Sequence, residues 1–239
     1  MTRETTAKPR SFLRKVARVL GILILLVIVG LAVAHFAWKY SGSNEWVKVS
    51  DKEGIQVYTL KEPGSTLKDF KAVTRVKTTL NRAAAAMLST ETADCAEWAP
   101  SCRSEKEIQP WNPKEMTYVH LYRMNYPKPF MPREFLLKAK VSQNPANKAL
   151  LVEFIALPDA LPKNDCCFRL EELHNRWQFT PVGNGEVEVE LRTDMDQGIP
   201  YFMINNKTPF FLHKMFKPLQ KWYDKDKWET ARYEGIVEP

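Results

Sequence analysis

The chain has 239 residues, 44% of them hydrophobic and 26% charged, and a formal net charge of +7. This fits one globular domain of roughly 190 residues plus additions, and excludes a disordered, low-complexity or repeat architecture. The positive charge does not indicate nucleic acid: residues 1–38 hold six basic residues against Glu4 alone, leaving 29 basic and 27 acidic residues for the rest. A nearly neutral domain lacks the basic face that nucleic-acid binding uses.

The leader, residues 1–18, carries Arg3, Lys8, Arg10, Arg14, Lys15 and Arg18. Val19–Trp38 follows as VLGILILLVIVGLAVAHFAW, without a formal charge. At helical rise this run spans a bilayer core of roughly 30 Å. Basic residues before it place the N-terminus in the cytoplasm and the domain across the membrane, which in a Gram-negative bacterium is the periplasm. Ala32-Val33-Ala34 also reads as a signal-peptidase site whose use would release the domain. The length of the apolar run and of its leader favours an uncleaved single-pass anchor. Residues 39–45 form a short linker.

From Trp46 the chain reads as a domain. Val47–Ser50 and Ile55–Leu60 are short strands around a Lys-Glu-Gly turn, and Phe70–Thr78 alternates as a half-buried strand. Asn81 is placed to cap an alanine-rich helix, Arg82–Leu88. Of the four cysteines, Cys95 and Cys102 are the first choice for a disulfide in an exported domain. A bridge from Cys102 to Cys166 or Cys167 is the rival, and free buried thiols are the third reading. No metal site is expected, because no histidine accompanies the vicinal pair at zinc spacing.

Met116–Tyr126, Phe135–Val141, Leu150–Leu157, Cys166–Leu173, Arg176–Pro181 and Val187–Thr193 read as successive strands. Glu-Val-Glu-Val-Glu at 186–190 alternates a wet and a buried face. Asn144–Asn147 and Gly183-Asn184-Gly185 are hairpin turns. Leu157–Pro162 is an apolar loop bracketed by prolines. His35, His120, His174 and His213 have no motif partners for nucleophilic work, and no phosphate loop or nucleophile elbow occurs.

The last part of the chain turns at Gly198, passes Pro200 and becomes a long helix. Leu212, Met215, Leu219 and Trp222 form its apolar stripe, with Phe211 and Phe216 beside it. Lys207, Lys214, Lys217 and Lys221 lie mainly off the stripe, where they suit anionic lipid or plain solvent. Pro218 removes a backbone donor, so a kink or break is expected there. Residues 229–239 read as a C-terminal tail.

Four stretches in order carry a resemblance. Trp46 with Asp51-Lys52-Glu53-Gly54-Ile55 and Val57-Tyr58 resembles the first strand of START domains. Pro127-Lys128-Pro129 with Arg133-Glu134 resembles the family's PxP…RD element, with Glu for the usual Asp. Phe168-Arg169 with Trp177 and Pro181 resembles its vR…W…P hairpin. Asp196–Pro200 with Asn205 resembles its C-terminal signature. The resemblance spans about residues 45–228.

It implies an α+β helix-grip fold: a curved antiparallel sheet wrapped around the long C-terminal helix, here preceded by one transmembrane helix. It implies a lipid ligand and a membrane partner without a cofactor; a protein partner is not specified. Alternate residues facing such a tunnel include His120, Leu121, Leu136 and Phe154. Leu170, Phe179, Leu191, Ile204, Phe211 and Met215 are further candidates, as is Val119. The parity that faces inward is not fixed for all of them. Leu157, Leu161, Lys207 and Phe210 are expected at the mouth. Pro127, Pro129, Arg133, Glu134, Arg169, Trp177, Gly198, Pro200 and Asn205 are expected to hold the frame.

An ungapped count back from Arg133 places His120 where steroidogenic members carry a buried Glu. Ala139 stands where those members carry the paired Arg. The expected function is binding a lipid in an internal cavity and transferring or presenting it at a membrane, with no covalent chemistry. A ligand with about twenty buried methylenes gains on the order of 15 kcal/mol on leaving water, before entropic losses. The alternatives are a helix-grip enzyme acting on a hydrophobic substrate and a membrane-tethered interaction module with a filled core.

Overall fold

A computed structural model describes residues 10–89, 92–99 and 101–239. Arg3 and Lys8 of the basic leader, and Pro100 between the first two cysteines, lie outside the described residues. Helix α1 (Arg10–Tyr40) is followed by strands β1 (Val47–Lys52), β2 (Ile55–Leu60) and β3 (Asp69–Lys77), then by helices α2 (Leu80–Leu88) and α3 (Thr92–Trp98). Seven strands come next: β4 (Cys102–Asn112), β5 (Thr117–Met124), β6 (Arg133–Gln143), β7 (Leu150–Ala156), β8 (Phe168–Arg169), β9 (Leu173–Gly183) and β10 (Glu186–Met195). Helices α4 (Tyr201–Phe216) and α5 (Leu219–Tyr223) and a 3-10 turn (Asp226–Trp228) close the order.

The strands form one sheet in the order β1-β2-β3-β10-β9-β7-β6-β5-β4, antiparallel along this path, with β8 alone pairing parallel to β6. Strand register aligns apolar side chains into rows on one face. One row runs Val57, Ala72, Leu191, Trp177, Val152, Val141. The next runs Phe70, Thr193, Asn175, Phe154, Ala139, Tyr118. Side chains two apart share a face, so both rows look the same way, and most of their members are buried. β10 shows the cause plainly: Val187, Val189 and Leu191 are buried between half-buried glutamates.

Helix α4 covers this face. Ile204, Asn205, Thr208, Leu212 and Phe216 are its buried residues, at the i, i+4 spacing of one helical stripe. Phe216 stacks on Trp177 of β9 with ring centroids 5.6 Å apart. The helix stops at Phe216, and α5 begins at Leu219 with Pro218 in the N-cap position. This is the expected break at Pro218, since a proline contributes no backbone N–H to the ladder.

Several local expectations are corrected. Thr79, not Asn81, caps α2: its side chain accepts from the Arg82 N–H. Asn81 is buried inside the helix, donates to Glu238 Oε1 and accepts from the Tyr233 N–H. The predicted strand Cys166–Leu173 shrinks to Phe168–Arg169. Helix α3 and the whole of β4 were not foreseen. Residues 229–239 are not a loose tail: Ile236 is buried, and Glu238 accepts from the Leu80 and Asn81 N–H groups at 2.9 and 2.8 Å.

Helix α1 projects from the domain with its apolar side chains exposed. Its segment Phe12–Tyr40 is long and apolar enough to cross a membrane. The last turn of α1 is docked. Trp38 stacks on Tyr201 at 6.5 Å and donates its Nε1–H to Thr66 O. His35 also meets the Tyr201 ring, at 5.8 Å. Lys61 Nζ donates to the carbonyls of Lys39 and Ser41 and lies over the Trp38 ring. Gly42 is packed so tightly against Lys61 that a Cβ would meet its carbonyl oxygen at 2.2 Å.

Candidate functional site

The interface between the concave face and α4, packed as one apolar core, is the candidate site. Of the residues expected there, His120, Phe154, Phe179, Leu191 and Ile204 are buried on the inner side, Leu170 is buried in the same core, and Met215 is half-buried against it. Four are placed differently. His120 pairs with Leu137 and Leu121 with Leu136, so Leu121 and Leu136 point away from the concave face, as does Val119. Phe211 is 57% exposed, because the buried stripe of α4 runs through Leu212 and leaves Phe211 on its flank.

The turn into α4 and the proline-bracketed loop are held by two adjacent residues that point to opposite faces of β6. Arg133 donates from Nε to Gln197 O at 2.8 Å and from Nη2 to Gly198 O, which fixes the turn leading into α4. Its guanidinium also lies 4.8 Å from the Tyr126 ring centroid and 4.9 Å from that of Phe168. Burial lowers the pKa of Arg133 and pushes the Tyr126 phenol up to about 12. Glu134 accepts from Arg169 Nε and Nη2 and, at 2.6 Å, from Arg123 Nε. The same Arg169 donates to the carbonyls of Pro158, Leu161 and Pro162, so the proline-bracketed loop hangs from one guanidinium.

Gly198 has φ +62°, and a Cβ there would meet Phe168 Cζ at 2.6 Å, so only glycine fits this turn. Pro200 takes the N-cap position of α4. Asn205 pins that helix to the β2–β3 turn, accepting from Lys68 N–H and donating to Thr66 O. Pro127 and Pro129 bracket a turn in which the Phe130 N–H reaches Pro127 O, and the Lys128–Pro129 peptide is cis.

Leu157 and Leu161 are half-buried in the proline-bracketed loop; Lys207 and Phe210 are exposed on α4, as is Phe202. Cys95 is bonded to Cys102, and Cys166 to its neighbour Cys167, a pairing outside the sequence-based alternatives. Glu134 lies close to the Cys166–Cys167 pair. Its oxygens are taken by guanidiniums and the two sulfurs by each other, which leaves that group no free metal ligand.

Sequence reasoning missed the surroundings of His120. Its Nδ1 lies 2.6 Å from Glu105 Oε1 on β4, both side chains being almost fully buried. The ring is flanked by Tyr118 at 4.9 Å, Tyr122 at 5.4 Å and Phe154 at 5.6 Å. Burial, and then the Glu105 carboxylate, push both tyrosine phenols up. Tyr118 donates its hydroxyl to Met87 O of α2. His120 Nε2 has no partner, and neither has Tyr223 Oη, which is fully buried on α5.

A buried hydroxyl without a partner costs on the order of 1–3 kcal/mol. Tyr223→Phe is therefore expected to raise the melting temperature of the ligand-free protein by a few degrees. A fall in a thermal scan would show that this hydroxyl is satisfied.

A curved sheet gripping a C-terminal helix over an apolar interior defines a helix-grip protein. A family model described as START domain matches residues 35–223, and the chain belongs to that family. The STAR-related lipid transfer protein of Xanthomonas axonopodis (fragment 25–204) has a similar structure, with TM-score 0.68 and 20% identity, covering 75% of this chain and 99% of that one. The human StarD13 (DLC2) lipid transfer and protein localization domain gives 0.64 and 14%, covering 83% and 96%. Human StAR-related lipid transfer protein 5 gives 0.60 and 14%, covering 84% and 96%. A comparison with curated proteins finds no match.

Proposed function

We propose that this domain binds one hydrophobic lipid between the concave face and α4, and exchanges it with the membrane that α1 crosses. The reading rests on START membership, since domains of this family typically bind lipids, and on the junction between α1 and α4. Trp38 and His35 of α1 sit against Tyr201 in the first turn of α4. The membrane-spanning helix thus leaves the bilayer beside the helix that must move for a ligand to enter. Phe202, Phe210 and Phe211 are exposed on that same helix, an apolar surface suited to the bilayer interface. With the basic leader in the cytoplasm, the domain lies on the far side, in the periplasm if the cell is Gram-negative. Pick-up and release need only that α4 and the mouth loop part, so binding rather than catalysis is the activity.

The test is to export residues 42–239 to a bacterial periplasm, purify the domain without detergent, and extract it for lipid mass spectrometry. One lipid class near one equivalent per protein is expected. A domain that carries no lipid and takes up none from liposomes would overturn the reading in favour of an interaction module or an enzyme with a transient substrate.

A further inference from the structure

The two disulfides differ in kind. Cys95–Cys102 joins α3 to the start of β4, and Cys95 is fully buried. It ties two elements together, as a structural bridge does. Cys166–Cys167 joins neighbours in sequence. A bridge across one peptide bond restrains almost none of the unfolded chain, so folding stability gives little reason for it. It is also open to attack. Residues 162–166 are exposed throughout, so Cys166 is accessible, whereas Cys167 is buried. Exposed disulfides are the labile ones, because exchange needs access for an attacking thiolate.

The position of the pair gives it leverage. Phe168 follows it, with its ring 4.9 Å from the Arg133 guanidinium and against Gly198 in the turn into α4. Arg169 comes next and holds the carbonyls of Pro158, Leu161 and Pro162. On the other side, the Cys166 and Cys167 N–H groups donate to the side chain and the carbonyl of Asn164. Both sulfurs lie near the Glu134 carboxylate, which the Arg169 and Arg123 guanidiniums hold. The pair therefore stands where the proline-bracketed loop, β8 and the turn into α4 meet.

We propose that Cys166–Cys167 is a redox-active site, reduced by a dithiol oxidoreductase of the compartment the domain occupies, and that its reduction releases the loop at residues 157–163. The proposal goes beyond lipid binding and holds whether or not the interior carries a ligand. A thiolate of the reductant attacks Cys166 Sγ, the exposed end. The S–S bond breaks, and its electron pair leaves on Cys167 Sγ, which takes up a proton. The reductant's second thiolate attacks its own sulfur in the mixed disulfide. Cys166 leaves with that electron pair and takes up a proton, and the reductant departs as a disulfide. Two electrons and two protons have then passed from the dithiol to the pair. With the ring open, residues 166 and 167 recover backbone freedom, and Arg169 is held less firmly under the loop.

The test uses the full chain in phosphatidylcholine nanodiscs, with reduced thioredoxin as the probe and differential alkylation read by peptide mass spectrometry. Cys166–Cys167 is expected to open about tenfold faster than Cys95–Cys102. A thioredoxin whose resolving cysteine is replaced by serine is expected to be trapped on Cys166. In hydrogen–deuterium exchange, residues 157–163 of the reduced protein should exchange about fivefold faster than in the oxidised protein. The double variant Cys166→Ser with Cys167→Ser, which keeps Cys95–Cys102, should show the fast loop before and after reductant. Thermal unfolding confirms that it is folded.

A pair that opens no faster than Cys95–Cys102, or that is already two free thiols in protein made under oxidising conditions, overturns the redox site. A loop whose exchange is unchanged by reduction overturns the proposal too. So does a reductant effect on the loop that persists in the double variant, since it would then come from Cys95–Cys102. None of these outcomes touches the lipid reading.

Discussion

Glu134→Ala is expected to destabilise the domain by about 3–5 kcal/mol, the range for breaking a buried charge pair from one side. The carboxylate is 1% exposed and bridges two guanidiniums, Arg169 at 3% and Arg123 at 30% exposure. Removing it leaves the Arg169 charge buried against carbonyls alone. For a domain of this size the melting temperature should fall by roughly 10 °C. The loss should also be local, because Arg169 holds the carbonyls of Pro158, Leu161 and Pro162. Limited proteolysis should cut residues 157–163 well before global unfolding.

The double variant Glu134→Leu with Arg169→Met should recover much of the global stability, since buried ion pairs replaced by apolar groups of similar volume are often neutral. It should not recover loop protection, because no donor remains for the three carbonyls. A single-variant loss below 1 kcal/mol, or a loop as resistant as in the wild type, would show that the network does not hold this loop.

Much of the architecture was legible because alternation and helix punctuation are local signals. Val187 and Val189 between glutamates identify β10 without any partner strand, and Pro218 marks the end of α4 by what it lacks. β4 was not legible for a physical reason. It is an edge strand with register shifts at three places, and Glu105 is its one buried residue. A strand that keeps so little buried and slips its pairing shows no period of two.

The parity of β5 and β6 was hidden for the opposite reason. Both faces are covered there, so Val119, His120 and Phe135–Leu137 are all buried, and a continuous apolar run does not say which side faces in. On α4 the pattern is partly inverted: Asn205 and Thr208 are buried, while Phe202, Phe210 and Phe211 are exposed. Hydrophobicity alone therefore put Phe211 in the tunnel. The site suffered most, because the partner of His120 lies 15 residues away across an irregular hairpin. A count of positions reached His120, and nothing in the sequence reached Glu105.

Deleting residues 229–239 is expected to cost about 4 kcal/mol, although the sequence places them beyond the domain. Ile236 is 8% exposed, and its burial accounts for about 2–3 kcal/mol. Tyr233 meets Trp111 edge to face at 5.6 Å. Val237 exchanges two hydrogen bonds with the side chain of Gln143. Glu238 places a carboxylate on the first free N–H groups of α2, where both hydrogen bonding and the helix dipole favour it, for about 1–2 kcal/mol.

The consequence reaches the interior. Helix α2 buries Ala83–Ala86 in the core and offers Met87 O to the hydroxyl of Tyr118, which packs on His120. The last residues of the chain thus brace the helix that positions the inner wall. In thermal scans the variant ending at Trp228 should melt roughly 10 °C below the full chain, and Glu238→Ala should fall between them. If the shortened protein melts within about 2 °C of the full chain, α2 does not need this brace, and the domain ends where its sequence pattern ends.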